Sequence, residues 1–330
     1  MLQLADRAVL TSPLPLITVE EARMLGISLR RSTHIRLRRG IHVERATYLA
    51  LQPWDRYAVR VHAFARRHPD AVLCLESAAV IHGLPLFGET RDIHVYAPDL
   101  TSSQRFGDVC VHTSLDEREV TQVGGIPVTS LLDTVADLAR LLTPARALAV
   151  VDSAISPAQG GTLRIPELRS RAGGQRNSRG RARQHWLWEH ADGRSESPGE
   201  SVSRAVIGWC GFETPELQRR FRYEGHDDRV DFLFPSNGAI GESDGWGKYR
   251  LEDAARAAEL LADEKRREDR LRRHGHPFAR WDLAEAWRVS PLRSALAAAG
   301  VPQRHPEQPA MLASLTKRNR ERVPKREPKR

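Results

Sequence analysis

The chain has 330 residues, 40% of them apolar and 28% charged, and carries a formal net charge of +9. That length is more than one hydrophobic core organises, so two or three domains are expected, and the composition excludes a disordered chain. No run of 18 apolar residues occurs, which excludes an α-helical membrane span, and the three cysteines leave one over in any disulfide scheme.

The first residues lack the apolar stretch and small-residue cleavage site of a signal peptide, so a cytoplasmic protein with reduced thiols is the expectation. Residues 1–52 predict a winged helix-turn-helix. Thr18 and Glu21 form a capping-box pattern over a helix ending at Gly26. A second, basic helix is expected from Leu29 to Arg39, followed by a strand-like wing from Ile41 to Ala50. In that arrangement Arg30, Arg31, Arg36, Arg38 and Arg39 would reach DNA phosphates or guanine edges.

Residues 53–156 read as a mixed α/β segment. Helices are predicted at Trp54–Arg67, Ala71–His82, Ser130–Leu142 and Pro144–Ile155. Strands are predicted at Ile93–Tyr96 and Val109–His112, with a hairpin around Gly124-Gly125. The thirteen histidines are scattered and show no ligand-pair spacing beside an acid, so a zinc site is not predicted. Residues 157–194 read as a basic surface connector, with a short helix starting at Ile165-Pro166-Glu167-Leu168 and helical texture from Gly180 to Trp188: Leu163–Arg183 alone holds seven Arg against one Glu. Arg176 and Arg179 are its candidate phosphate contacts. Residues 301–330 read as a flexible tail, the last fifteen with eight Lys or Arg against two Glu. Basic stretches of this kind point to a polyanion, with DNA the first candidate.

The chemistry concentrates in residues 195–300. A helix starting at Pro198 carries Glu200. A strand Arg229–Phe234 carries Asp231, and Pro235 with Asn237-Gly238 reverses the chain. A second strand then delivers Glu242 and Asp244 two residues apart, hence on one face. Carboxylates converging from a helix and two adjacent strands suit Mg²⁺ or Mn²⁺, because a hard cation at a phosphodiester requires hard oxygen ligands. Glu200 equally fits the third position of a cap begun by Ser197. Lys248 lies within reach of phosphate and equally suits the surface. A long charged helix is expected over Glu252–Arg273, with a short closing strand at Phe278–Trp281.

The stretch Ser197–Arg273 resembles the DUF559 family, a branch of the PD-(D/E)XK nucleases related to very-short-patch repair endonucleases. S-P-G-E-S at 197–201, G-F-E-T-P-E-L-Q at 211–218, R-V-D-F at 229–232, E-S-D-G-W-G-K-Y at 242–249 and E-K-R-R-E-D-R-L at 264–271 carry the resemblance. It implies a metal site of Glu200, Asp231 and Glu242. The superfamily's usual lysine is replaced by Asp244, so Lys248, Lys265 or Arg266 is left as the assisting cation. The first half is similar to proteins with an AbiEi-like antitoxin N-terminal region, through L-I-T-V-E-E-A-R-M-L-G-I at 16–27 and L-R-R-G at 37–40. The combined expectation is a multidomain α+β protein acting as a Mg²⁺-dependent DNA endonuclease. The alternative is an antitoxin-type repressor with a silent nuclease-like domain. DNA is the expected partner, with a second copy of the chain, a toxin–antitoxin partner or a DNA-repair partner as further candidates.

Overall fold

The computed structural model describes residues 3–244 and 254–317. It is a mixed α/β structure with three sheets. The chain divides into two compact units that exchange segments. An N-terminal unit takes residues up to Leu142 and then Leu163–Trp188. A C-terminal unit takes Thr143–Thr162 and Glu189–Lys317.

The N-terminal unit opens with α1 (Leu4–Arg7), β1 (Ile17–Thr18) and α2 (Val19–Met24). The predicted capping box is present: the Glu21 N–H donates to Thr18 Oγ1 at 3.1 Å and the Thr18 N–H to Glu21 Oε2 at 2.7 Å. The predicted basic helix over Leu29–Arg39 is not formed. Residues His34–Arg38 make strand β2, antiparallel to β3 (Ile41–Glu44), and β1 completes a three-stranded sheet. The reason is spacing. Ile35 and Leu37 are two apart, and both pack against Val43, Tyr48 and Val59. Side chains at i and i+2 share a face on a strand but diverge on a helix. The wing is also shorter than expected. α3 (Arg45–Ala50) replaces its second half, begun by Glu44, whose carboxylate accepts the N–H groups of Ala46 and Thr47.

α4 (Pro53–Arg67), β4 (Val72–Leu73), α5 (Leu75–His82), β5 (Ile93–Tyr96), β6 (Gln104–Phe106), β7 (Val109–His112), β8 (Val120–Val123), β9 (Ile126–Thr129) and α6 (Leu131–Leu141) follow. The six strands run in the order β6-β7-β5-β4-β9-β8. Their core gathers Tyr57, Val61, Leu73, Ile81, Ile93 and Val128. The sheet also assembles a histidine pair that chain spacing concealed: His94 Nδ1 lies 2.9 Å from His112 Nε2, and His94 Nε2 lies 3.5 Å from buried Glu76.

α7 (Pro144–Ile155) belongs to the C-terminal unit, after which the chain returns with α8 (Ile165–Gly173) and the start of α9 (Arg181–His190). The stretch expected to be a surface connector is therefore packed structure. Leu168, Ala172 and Leu187 are buried, Arg171 pairs with buried Asp133, and Gln175 Nε2 donates to Asp137 at 3.0 Å. Arg171 satisfies an acid of α6, although a reading of charge runs alone assigns it to solvent.

The C-terminal unit continues through α10 (Pro198–Trp209), β10 (Glu216–Tyr223), β11 (His226–Phe234), β12 (Ala239–Asp244), α11 (Ala254–Arg273), β13 (Phe278–Asp282), α12 (Leu283–Arg288), α13 (Ser290–Ala298) and α14 (Pro309–Leu312). β10, β11 and β12 form an antiparallel meander. α11 then crosses over to deliver β13 parallel to β12, giving the order β10-β11-β12-β13. Phe232, Phe234 and Trp281 fill the interior, and Trp281 Nε1 donates to Ser203 of α10 at 2.8 Å. α7 packs on α10. There fully buried Asp152 accepts Arg204 Nη2 at 2.6 Å and the Asp192 N–H at 2.8 Å.

Candidate acidic site of the C-terminal unit

The site begins with strand register. The pairs Leu217↔Phe232 and Arg219↔Val230 leave Gln218 opposite Asp231. Phe232↔Gly241, extended by one residue, sets Asp231 opposite Glu242, and Glu242 pairs with Arg280 across the parallel ladder. A single row of polar side chains, Gln218, Asp231, Glu242 and Arg280, thus runs across all four strands. The row interrupts the β10–β11 ladder. Gln218 adopts φ +55°, a left-handed conformation costly for a residue with a Cβ. The Ser243 N–H donates to Asp231 Oδ2 at 2.9 Å, fixing that carboxylate against the neighbouring strand.

α10 supplies Glu200. Ser197 caps this helix by accepting the Glu200 N–H at 3.1 Å, as its sequence pattern predicts. The Glu200 side chain, 5% exposed, does more than cap. Its Oε2 accepts the Glu196 N–H at 2.8 Å and Gln218 Nε2 at 2.9 Å. Burial, and after it the negative charge of Asp231, push its carboxyl up to about 8. Asp231 is therefore close enough to oppose the ionisation of Glu200. Glu196 is also raised, by burial first and then by Asp231, against the pull of Arg229, which binds it at 2.5 Å.

Glu242 is 3% exposed and held by Arg267 of α11: Nη1 to Oε1 at 3.2 Å and Nη2 to Oε2 at 3.0 Å. Burial works to lower the guanidinium's pKa, but the charges of Glu242 and then Asp231 outweigh it and raise it. Both acids thus face this one arginine. Asp244 shares the side of Glu242, as the two-residue spacing predicts, but binds Arg280 Nη2 at 2.6 Å. Arg280 also binds Glu264 and, at 2.9 Å, Glu268 of α11.

Of the predicted residues, Glu200, Asp231 and Glu242 come together, while Asp244 is tied into the Arg280 network beside them. Lys248 lies outside the described residues. Lys265 and Arg266 are exposed, Arg266 pairing with Asp263 at 2.5 Å. The cation in the site is Arg267, with Gln218 as the second residue that sequence reasoning missed. Helical phase carried the signal for Arg267: it lies four residues before Leu271, which is fully buried and marks the sheet-facing side of α11. Among the described residues, no group of three or more His, Cys, Asp and Glu side chains is arranged to hold a metal ion. Asp231 acts electrostatically on Glu200, while Arg267 occupies Glu242.

Of the expected DNA contacts, Arg30, Arg31, Arg36, Arg39, Arg176 and Arg179 are exposed. Arg38 is not: its Nη1 binds both oxygens of Asp108 at 2.9 and 3.0 Å, and Arg60 joins the same carboxylate. Arg38 is a structural ion pair rather than a groove contact. No helix among the described residues is long and apolar enough to cross a membrane.

No protein-family model matches the chain. Two curated proteins of Mycobacterium tuberculosis, "Uncharacterized protein MT2308" and "Uncharacterized protein Rv2248", each match at 32% identity over 199 residues, 59% of this chain and 69% of the relative. On that similarity and coverage, the chain belongs to the family of these uncharacterized mycobacterial proteins.

Proposed function

We propose that the C-terminal unit is a divalent-cation-dependent DNA endonuclease, with Asp231, Glu242 and Glu200 as the residues that would hold Mg²⁺ or Mn²⁺. The observation that carries this reading is the convergence of a buried helix carboxyl, Glu200, with the strand carboxyls Asp231 and Glu242 in one interrupted row of the sheet. A buried acid whose pKa is raised by burial and by a neighbouring carboxylate, as Glu200 is, is costly for folding and typical of working sites. When bound, the cation supplies charge for the phosphate and acidifies water. The chain's own groups set the frame: the Ser243 N–H orients Asp231, Gln218 and the Glu196 N–H orient Glu200, and Arg267 orients Glu242. In the N-terminal unit, the exposed Arg30, Arg31, Arg36 and Arg39 are suited to backbone phosphates. With β2 in place of a recognition helix, base readout in the major groove is no part of the proposal.

The test is cleavage of single-stranded, nicked, mismatched and plain duplex DNA with Mg²⁺ or Mn²⁺. Cleavage by the wild type that falls by roughly a hundredfold or more in Asp231→Asn and Glu242→Gln is the expected result. Salt-sensitive binding without cleavage of any of these substrates supports a second reading instead, a DNA-binding regulator with a silent centre. The two-pronged hold of Arg267 on Glu242 is the observation that favours it.

A further inference from the structure

We propose that Arg267 is a positioning residue that stands in for a divalent cation on Glu242 and sets how tightly the centre binds one; this rests on reading Asp231, Glu242 and Glu200 as a cation site. Three features of the geometry support it. The guanidinium engages both Glu242 oxygens, and Nη1 also donates to the Arg229 carbonyl of β11 at 2.7 Å, so it is anchored to the sheet independently of the acid it holds. Glu242 is nearly buried, and a buried carboxylate requires a partner charge, which Arg267 supplies. The neighbouring cations are committed elsewhere: Lys265 and Arg266 are exposed, Arg229 binds Glu196, and Arg280 binds Asp244, Glu264 and Glu268.

The consequence follows from charge. A monocation fixed on Glu242 repels an arriving divalent ion and occupies the lone pairs that would bind it. A divalent ion must loosen at least one of the two Arg267 contacts to reach a Glu242 oxygen. Removing the guanidinium therefore tightens cation binding, whereas a residue with a purely structural role would weaken it or leave it unchanged.

The experiment titrates Mn²⁺ alone into the full chain, reading free Mn²⁺ by electron paramagnetic resonance, with folding checked by circular dichroism. The expected result is a dissociation constant lower by about tenfold or more in Arg267→Gln than in wild type. Arg267→Lys, which keeps the charge but cannot bridge both oxygens, falls between them and decides the matter if the glutamine variant does not fold. Arg288→Gln, an equal charge change at the exposed end of α12, leaves the constant unchanged. Mn²⁺ binding that Asp231→Asn abolishes, but that the Arg267 variants leave equal or weaker, overturns this inference and keeps the metal-centre reading. Absence of Mn²⁺ binding in wild type and every Arg267 variant overturns both.

Discussion

His62 and His82 show how burial sets a pH limit on the N-terminal unit. Each ring donates Nε2–H to a carbonyl, His62 to Val9 at 2.7 Å and His82 to Thr129 at 2.8 Å. Burial is the main cause that lowers both pKa values, with the carbonyl contacts opposing it. The folded protein thus keeps both rings neutral, whereas in the unfolded chain they take up protons below about 6.5. The unfolded state binds more protons in that range, so stability is fully present above the ordinary histidine pKa and declines as pH falls through it toward the depressed folded values. We expect a lower urea midpoint for this unit at pH 5.5 than at pH 7.5. The difference should shrink in a His62→Gln/His82→Gln double variant, and an equal drop with and without the histidines would refute the assignment.

At the scale of elements, the meander β10–β11–β12 depends on a close approach at Gly241. A Cβ there would sit 2.7 Å from Trp281 Cη2 and 3.3 Å from Phe232 Cβ and Phe234 Cε2. Gly241→Ala is expected to cost about 1–3 kcal/mol by overpacking, measured by chemical denaturation. Because this glycine precedes Glu242, weaker Mn²⁺ binding should accompany the loss. Elements with strong local signals were legible in the sequence. α4 and α7 begin with proline, α2 and α10 carry side-chain caps, and the Gly124-Gly125 turn closes the β8–β9 hairpin. β2 was not legible from charge, because five arginines among Leu29–Arg39 resemble a basic helix while only Ile35 and Leu37 report the strand period. The packing of α8 and the role of Arg267 were missed for a related reason. A charge run is solvated by default, and only its phase relative to buried neighbours such as Leu168 or Leu271 shows which arginines turn inward. The three acids were legible because each follows a turn or cap that fixes its element; their partners Gln218, Ser243 and Arg267 were not, because these lie 12 to 25 residues away in sequence.

At the scale of the whole molecule, a net charge of +9 predicts salt-dependent association with DNA. Each phosphate neutralised contributes about −0.9 to the slope of log K against log salt. If Arg30, Arg31, Arg36 and Arg39 each meet a phosphate, their joint replacement by glutamine flattens that slope by roughly three to four, measured by fluorescence anisotropy. An unchanged slope would move the docking surface elsewhere. The exchange of segments between the two units has its own consequence for synthesis. α7, with Leu148, Val150 and Val151 buried in the finished protein, leaves the ribosome well before α10, the helix it packs on. At about 5–20 residues per second that interval is several seconds. Over the same interval the ribosome makes Leu163–Trp188, the last described segment of the N-terminal unit, so an apolar helix waits on the nascent chain while that segment of the unit begun before it is being made.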